Sequence, residues 1–151
     1  MGVKVIVNDR VDIALCAGAD GVHLGQDDMP PHAARTLLGE KAVLGFSTHS
    51  VGQAVEAVRH LPIDYIAIGP IFATTTKENP DPVVGLEGLR QVRSAIGDFP
   101  LVAIGGITRR NATEVFAAGA NSVAVISDLL GDPDMIATAV EELKLRAVER
   151  R

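Results

Sequence analysis

Two aspartates, Asp9 and Asp28, each follow a short apolar run, and each has an amide side chain close by in Asn8 and Gln26. Carboxylates at the tips of neighbouring strands suit Mg²⁺, a hard cation that keeps waters and shares its remaining positions with substrate phosphates. Either Asp could equally cap a helix, Asp9 the segment after it and Asp28 the one after Pro30, and spacing does not separate the two readings. Gly105-Gly106 precedes a helix expected to start near Thr108. Bare N–H groups at a helix N-terminus hold phosphate, although an ordinary tight turn is the plainer reading of a glycine pair. Ser127, before a helix-like turn at 128–130, is placed to complete such a cradle. Thr74-Thr75-Thr76-Lys77 opens a long polar loop. Its hydroxyls and ammonium suit phosphate oxygens and a leaving pyrophosphate; a solvated surface loop is the competing account.

Other reactive side chains carry less. His23, inside an apolar run, and His49, after one, read as hydrogen-bonded packing residues more readily than as half of an acid–base pair. His32 and His60 read as surface helix residues, and Cys16, in Ile13-Ala14-Leu15-Cys16-Ala17, as a small buried hydrophobe. Neither Ser47 nor Ser127 lies in a Gly-x-Ser-x-Gly elbow, so serine hydrolysis is unsupported.

The elements that must position these groups are short. Apolar runs at Val3–Val7, Gly21–Leu24, Ala42–Phe46, Tyr65–Ile68, Leu101–Ile104 and Ser122–Ile126 are rich in Val and Ile, and several lack clean alternation. That pattern suits parallel strands covered on both faces. Between them, Val51, Ala54, Val55 and Val58 form one helical stripe, and Leu86, Leu89, Val92 and Ile96 another. Asp132-Pro133 reads as a helix start. An internal repeat joins these elements. Ala17-Gly18-Ala19-Asp20-Gly21-Val22 and Ala118-Gly119-Ala120-Asn121-Ser122-Val123 share one pattern, and Leu61-Pro62-Ile63-Asp64-Tyr65-Ile66 is a looser copy. Each ends a helix and turns the chain into a strand with a small polar residue. Repeated β/α units with right-handed crossovers allow an open doubly wound sheet or part of a β/α barrel. In both, ligands bind where strands end, and there every run is followed by polar or glycine-rich residues.

Composition narrows the function classes. The chain has 151 residues, 47% hydrophobic and 22% charged, which fits one globular α/β domain over 1–151. A net charge of −5 and a scarcity of aromatics argue against a nucleic-acid surface. No apolar run nears the ~20 residues of a membrane span, and Met1–Val5 does not make a signal peptide. One cysteine permits no internal disulfide, so a cytoplasmic protein is expected.

Five motifs, in order, carry a resemblance. Val7-Asn8-Asp9-Arg10-Val11-Asp12, Gly21-Val22-His23-Leu24-Gly25-Gln26-Asp27-Asp28, Ser47-Thr48-His49-Ser50, Gly69-Pro70-Ile71-Phe72-Ala73-Thr74-Thr75-Thr76-Lys77 and Ala103-Ile104-Gly105-Gly106-Ile107 together resemble the thiamine phosphate synthase family, from Val3 to about Leu130. The resemblance implies a (β/α)8 TIM-barrel type fold. It implies an enzyme, a transferase of thiamine biosynthesis. The family joins hydroxymethylpyrimidine diphosphate to thiazole phosphate and releases pyrophosphate. By that resemblance Asp9 and Asp28 match Mg²⁺ ligands, and Asn8 and Lys77 match pyrophosphate contacts. Ser47 matches a residue at the pyrimidine, and Thr74, Thr76, Gly106, Ile126 and Ser127 match the thiazole phosphate cradle.

The family barrel has eight strands, whereas this chain shows six runs, matching strands three to eight. The family's Gln-x-Arg-x-Lys segment lies in the first two units, and nothing here matches it. A truncated barrel leaves open sheet edges, so a homo-oligomer is one way to complete the site. Competing readings are a thiazole tautomerase-like barrel, a non-catalytic phosphate-binding fragment, and some other phosphosugar barrel or doubly wound sheet.

Overall fold

A computed structural model of the chain describes residues 2–74, 81–130 and 133–148. Strands and helices alternate: β1 (Ile6–Asn8), α1 (Val11–Ala17), β2 (Gly21–Leu24), α2 (Pro31–Leu38), β3 (Val43–Thr48), α3 (Val51–His60) and β4 (Tyr65–Ile68). Then follow α4 (Gly85–Ile96), β5 (Leu101–Ile104), α5 (Ala112–Ala117), β6 (Ser122–Ala124), a 3₁₀ turn at Pro133–Met135 and α6 (Ile136–Val148).

All six strands are parallel and pair in sequence order, β1-β2-β3-β4-β5-β6. This order decides between the two architectures. A doubly wound sheet reverses direction at a switch point, sending helices to both faces. Strictly sequential order with right-handed crossovers puts every helix on one face, and the sheet curls into a half-barrel.

The alternation of side chains shows both faces. Val22, Leu24, Leu44, Phe46, Ile66, Ile68, Leu101 and Ala103 join Val11, Ala14, Ala34, Ala54, Ala57, Leu89, Val92 and Val115 in one buried cluster between sheet and helices. The alternate positions form the concave face. There the register places Asn8 beside His23, His23 beside Gly45, and Gly45 beside Tyr65. The one buried polar side chain in the described residues, Thr48, donates to Ala67 O at 2.8 Å.

The repeated helix-to-strand junctions have a common physical basis. Asp20 N–H donates to Val5 O at 2.9 Å, while its carboxylate accepts from Val5 N–H at 2.8 Å. Asp64 and Leu44 make the same reciprocal pair at 2.8 and 2.7 Å, and Asn121 and Leu101 at 2.8 and 2.9 Å. Each clamp satisfies an amide at or next to the start of a preceding strand and fixes where the next one begins. Arg35 and Arg93 brace two of them, bonding Asp64 Oδ2 at 2.8 Å and Asn121 Oδ1 at 2.5 Å.

Some expected boundaries move. The first run shifts to Ile6–Asn8 and leaves Val3 and Val5 exposed. The third extends through Ser47 and Thr48, because ladder pairing with Ala67 and Ile68 continues past the apolar residues. The last ends at Ala124, and Ile126 enters a turn. The helix expected near Thr108 begins at Ala112, because Asn111 Oδ1 accepts from Thr108 N–H and holds a turn there. Cys16 is exposed rather than buried, since Val11 and Ala14 form the inward stripe of α1. Asp132, expected to cap the last helix, lies outside the described residues. No helix among the described residues is long and apolar enough to cross a membrane.

Candidate active site

The site is built at the C-terminal ends of the strands. Asn8 ends β1, and Asp9 follows with φ 64°, the one non-glycine residue with positive φ among the described residues. Its N–H donates to His23 O at 2.8 Å, which continues the β1–β2 ladder by one bond. Aspartate tolerates this left-handed conformation better than most residues, and such geometry concentrates at functional positions. Asp9 caps no helix: the N-cap of α1 is Arg10, with no side-chain cap bond.

Asp28 is not a cap either. Its Oδ2 accepts from Gly25 N–H at 2.6 Å, and the N-cap of α2 is Pro30. The Asp9 and Asp28 carboxyl groups lie close enough to act on one another. The Asp9 pKa is raised by desolvation first, then by the Asp28 charge and by the Asp28 carboxyl as a hydrogen-bond partner for the protonated form. Two acids forced together in this way form an anionic site that a cation would relieve. Among the described residues no group of three or more His, Cys, Asp or Glu side chains converges to hold a metal, at this corner or elsewhere, so the pair alone would leave most coordination positions to water or substrate.

Gln26 ties this corner to β3 by donating to Ser47 O at 2.6 Å. Ser47 Oγ lies 2.8 Å from His23 Nε2, and His23 Nδ1 lies 3.0 Å from Tyr65 Oη. Burial holds the His23 pKa below its ordinary value, against the upward pull of Asp28, and pushes Tyr65 up. His49 Nδ1 lies 2.8 Å from Gly69 O and 3.5 Å from the Asp81 carboxylate.

Beside Ser47 opens a cavity of about 220 Å³, lined also by His49, Thr74, Gly106, Ile126 and Ser127. Its floor depends on two glycines. Gly105 and Gly106 have φ 97° and 63°, and a Cβ on them would lie 2.6 Å from Pro70 Cα and 2.7 Å from Ala73 O. Backbone bonds from Ile71 N–H to Ile104 O (2.9 Å) and Phe72 N–H to Gly105 O (3.0 Å) hold the two loops together. On the far side, Arg109 N–H and Nε donate to Asp128 Oδ2 at 3.0 and 2.9 Å, which fixes the turn that carries Ser127. Burial alone would raise the Asp128 pKa, and these bonds with the Arg109 charge lower it.

The structure thus brings Ser47, Thr74, Gly106, Ile126 and Ser127 to one cavity, with Asn8, Asp9 and Asp28 on the same rim of the sheet. Thr76 and Lys77 lie outside the described residues. Tyr65 gives no site signal in the sequence, and the pattern around His23 favours a packing role over half of an acid–base pair.

The family model for thiamine monophosphate synthase matches residues 1–129. The chain belongs to this family. Similar members include the thiamine-phosphate synthase of Koribacter versatilis, 55% identical over 131 residues, covering 87% of this chain and 61% of that protein. That of Chloroflexus aurantiacus is 51% identical over 138 residues, covering 91% of this chain and 62% of its own length. Among solved structures, thiamine phosphate pyrophosphorylase from Pyrococcus furiosus superposes with a TM-score of 0.82 at 40% identity, over 96% of this chain and 67% of that one. This family member therefore spans a little over three fifths of the length of the relatives it matches.

Proposed function

We propose that the chain carries the thiamine phosphate synthase reaction, joining hydroxymethylpyrimidine diphosphate to thiazole phosphate with release of pyrophosphate. The observation that carries this reading is the close Asp9–Asp28 carboxyl pair on the strand rim that also holds the Ser47 cavity. A carboxylate pair on the same rim as a mostly apolar pocket, which carries the hydroxyls of Ser47, Thr74 and Ser127 and three glycines, suits diphosphate departure better than acid–base chemistry.

The donor set fits Mg²⁺, with Asp9 and Asp28 as its ligands: both are hard oxygen donors, and their mutual repulsion favours a cation between them. Bound there, Mg²⁺ would neutralise charge on the departing pyrophosphate. Asn8 and Lys77 contact the pyrophosphate. Ser47 holds the pyrimidine. Thr74, Thr76, Gly106, Ile126 and Ser127 hold the thiazole phosphate. The methylene C–O bond breaks with its electron pair leaving on pyrophosphate, and the thiazole nitrogen lone pair forms the new C–N bond. No proton need be removed from the nitrogen, so no general base is assigned.

The chain forms one partial barrel domain, equivalent to strands three to eight of the family barrel. It works in the cytoplasm, as a homo-oligomer.

The test is an end-point assay with both substrates and Mg²⁺, following thiamine phosphate by mass, with Asp9→Ala as control. Product that vanishes in the variant supports the reading. Bound thiazole phosphate without product, from a folded chain, would replace it with a phosphate-binding fragment. Isomerised thiazole without Mg²⁺ or pyrimidine would replace it with a tautomerase.

A further inference from the structure

The hydrogen-bond chain Tyr65–His23–Ser47 runs across the concave face from β4 through β2 to β3 and ends at the cavity. The proton inventory of the three groups favours one direction. The Tyr65 phenol is partly buried, and a phenol has a proton to donate. Among the described residues the acceptor within reach is His23 Nδ1, at 3.0 Å. An Nδ1 that accepts carries no proton, so the neutral ring carries its proton on Nε2. That N–H donates to Ser47 Oγ at 2.8 Å. The serine proton cannot then lie on the histidine, and no other described residue is bonded to Oγ. In the reverse direction the phenol, only partly buried, would have to give its proton to solvent instead of to the ring beside it.

We propose that Tyr65 and His23 are positioning residues that fix Ser47 as a hydrogen-bond donor, aimed at an acceptor atom of the ligand such as a ring nitrogen of a heteroaromatic. Only the identity of that ligand, the pyrimidine diphosphate, rests on the synthase reading. Gly45, between the two rings in the register, leaves the space that the contact needs, and Gln26 holds the Ser47 backbone carbonyl.

The test is a long-range ¹H–¹⁵N spectrum of the whole chain with labelled histidine, assigned with His23→Gln. A proton on Nε2 and an acceptor-type Nδ1 are expected. Tyr65→Phe, which keeps the ring, should shift Nδ1 towards a free imine nitrogen and leave Nε2 protonated. A proton on Nδ1, or an Nδ1 resonance indifferent to Tyr65→Phe, overturns the proposal. In turnover, Tyr65→Phe should lower kcat/KM for the pyrimidine diphosphate by about threefold to tenfold, with KM for thiazole phosphate unchanged. Unchanged kinetics in an active enzyme would remove the recognition role. Wild-type chain without product would overturn the synthase reading, while the spectrum still decides the proton direction.

Discussion

The rings of His23 and Tyr65 lie 5.4 Å apart between centroids, inclined at 25°, although they belong to β2 and β4 and are separated by the whole width of β3. They meet because the residue between them is Gly45. A Cβ there would run into the Tyr65 ring and His23 Nδ1. Gly45→Ala should therefore destabilise the fold by about 1–3 kcal/mol, the usual cost of overpacking. A urea midpoint equal to that of wild type would show that the rings give way freely.

Asp9 links stability to pH. Its folded pKa lies above the unfolded 3.8, so the folded state holds its proton more tightly. Stability should fall as pH rises from 3.8 through the folded value and stay lower above it. Asp9→Asn keeps a residue that tolerates positive φ and should flatten this fall. Adding Mg²⁺ at neutral pH should raise the melting temperature of wild type and leave the variant unmoved. Equal pH slopes in both proteins would remove Asp9 as the source.

Asn121→Ala strips the clamp on Leu101 N–H and a partner of Arg93. The expected loss is about 1–3 kcal/mol, that of an amide left unsatisfied. Asp20→Ala, at an exposed junction, should cost less. Denaturant titrations of the two variants compare them directly.

Ser127→Ala should weaken thiazole phosphate and leave the pyrimidine diphosphate largely alone, as read by calorimetry for each ligand. The opposite pattern would mean that the two pockets are exchanged. Lys77→Ala should cut kcat/KM more than tenfold, about 1.4 kcal/mol of transition-state stabilisation.

Cys16 should react with a thiol reagent in the native protein, before any unfolding, because it is exposed on α1. A thiol that is labelled only in denaturant would restore the buried reading.

The strands whose ends coincide with a change in apolarity were legible to the residue, as with Gly21–Leu24, Tyr65–Ile68 and Leu101–Ile104. Boundaries set by hydrogen bonding were not. Ser47 and Thr48 are polar yet remain in β3, while the apolar Val3 and Val5 lie outside β1. Residues at strand ends could be read as site candidates because parallel β/α folds place chemistry there. The Tyr65–His23 contact spans 42 positions and depends on register across three strands, which local pattern does not encode.

The clamps at Asp20, Asp64 and Asn121 lie at the rim opposite the cavity. Each unit inherits its alignment from a junction that touches no ligand. Substitutions, insertions and deletions in the loops at the other rim leave that alignment intact. Such a chain can diverge in substrate range while its architecture is conserved, because selection for one acts on different residues from selection for the other.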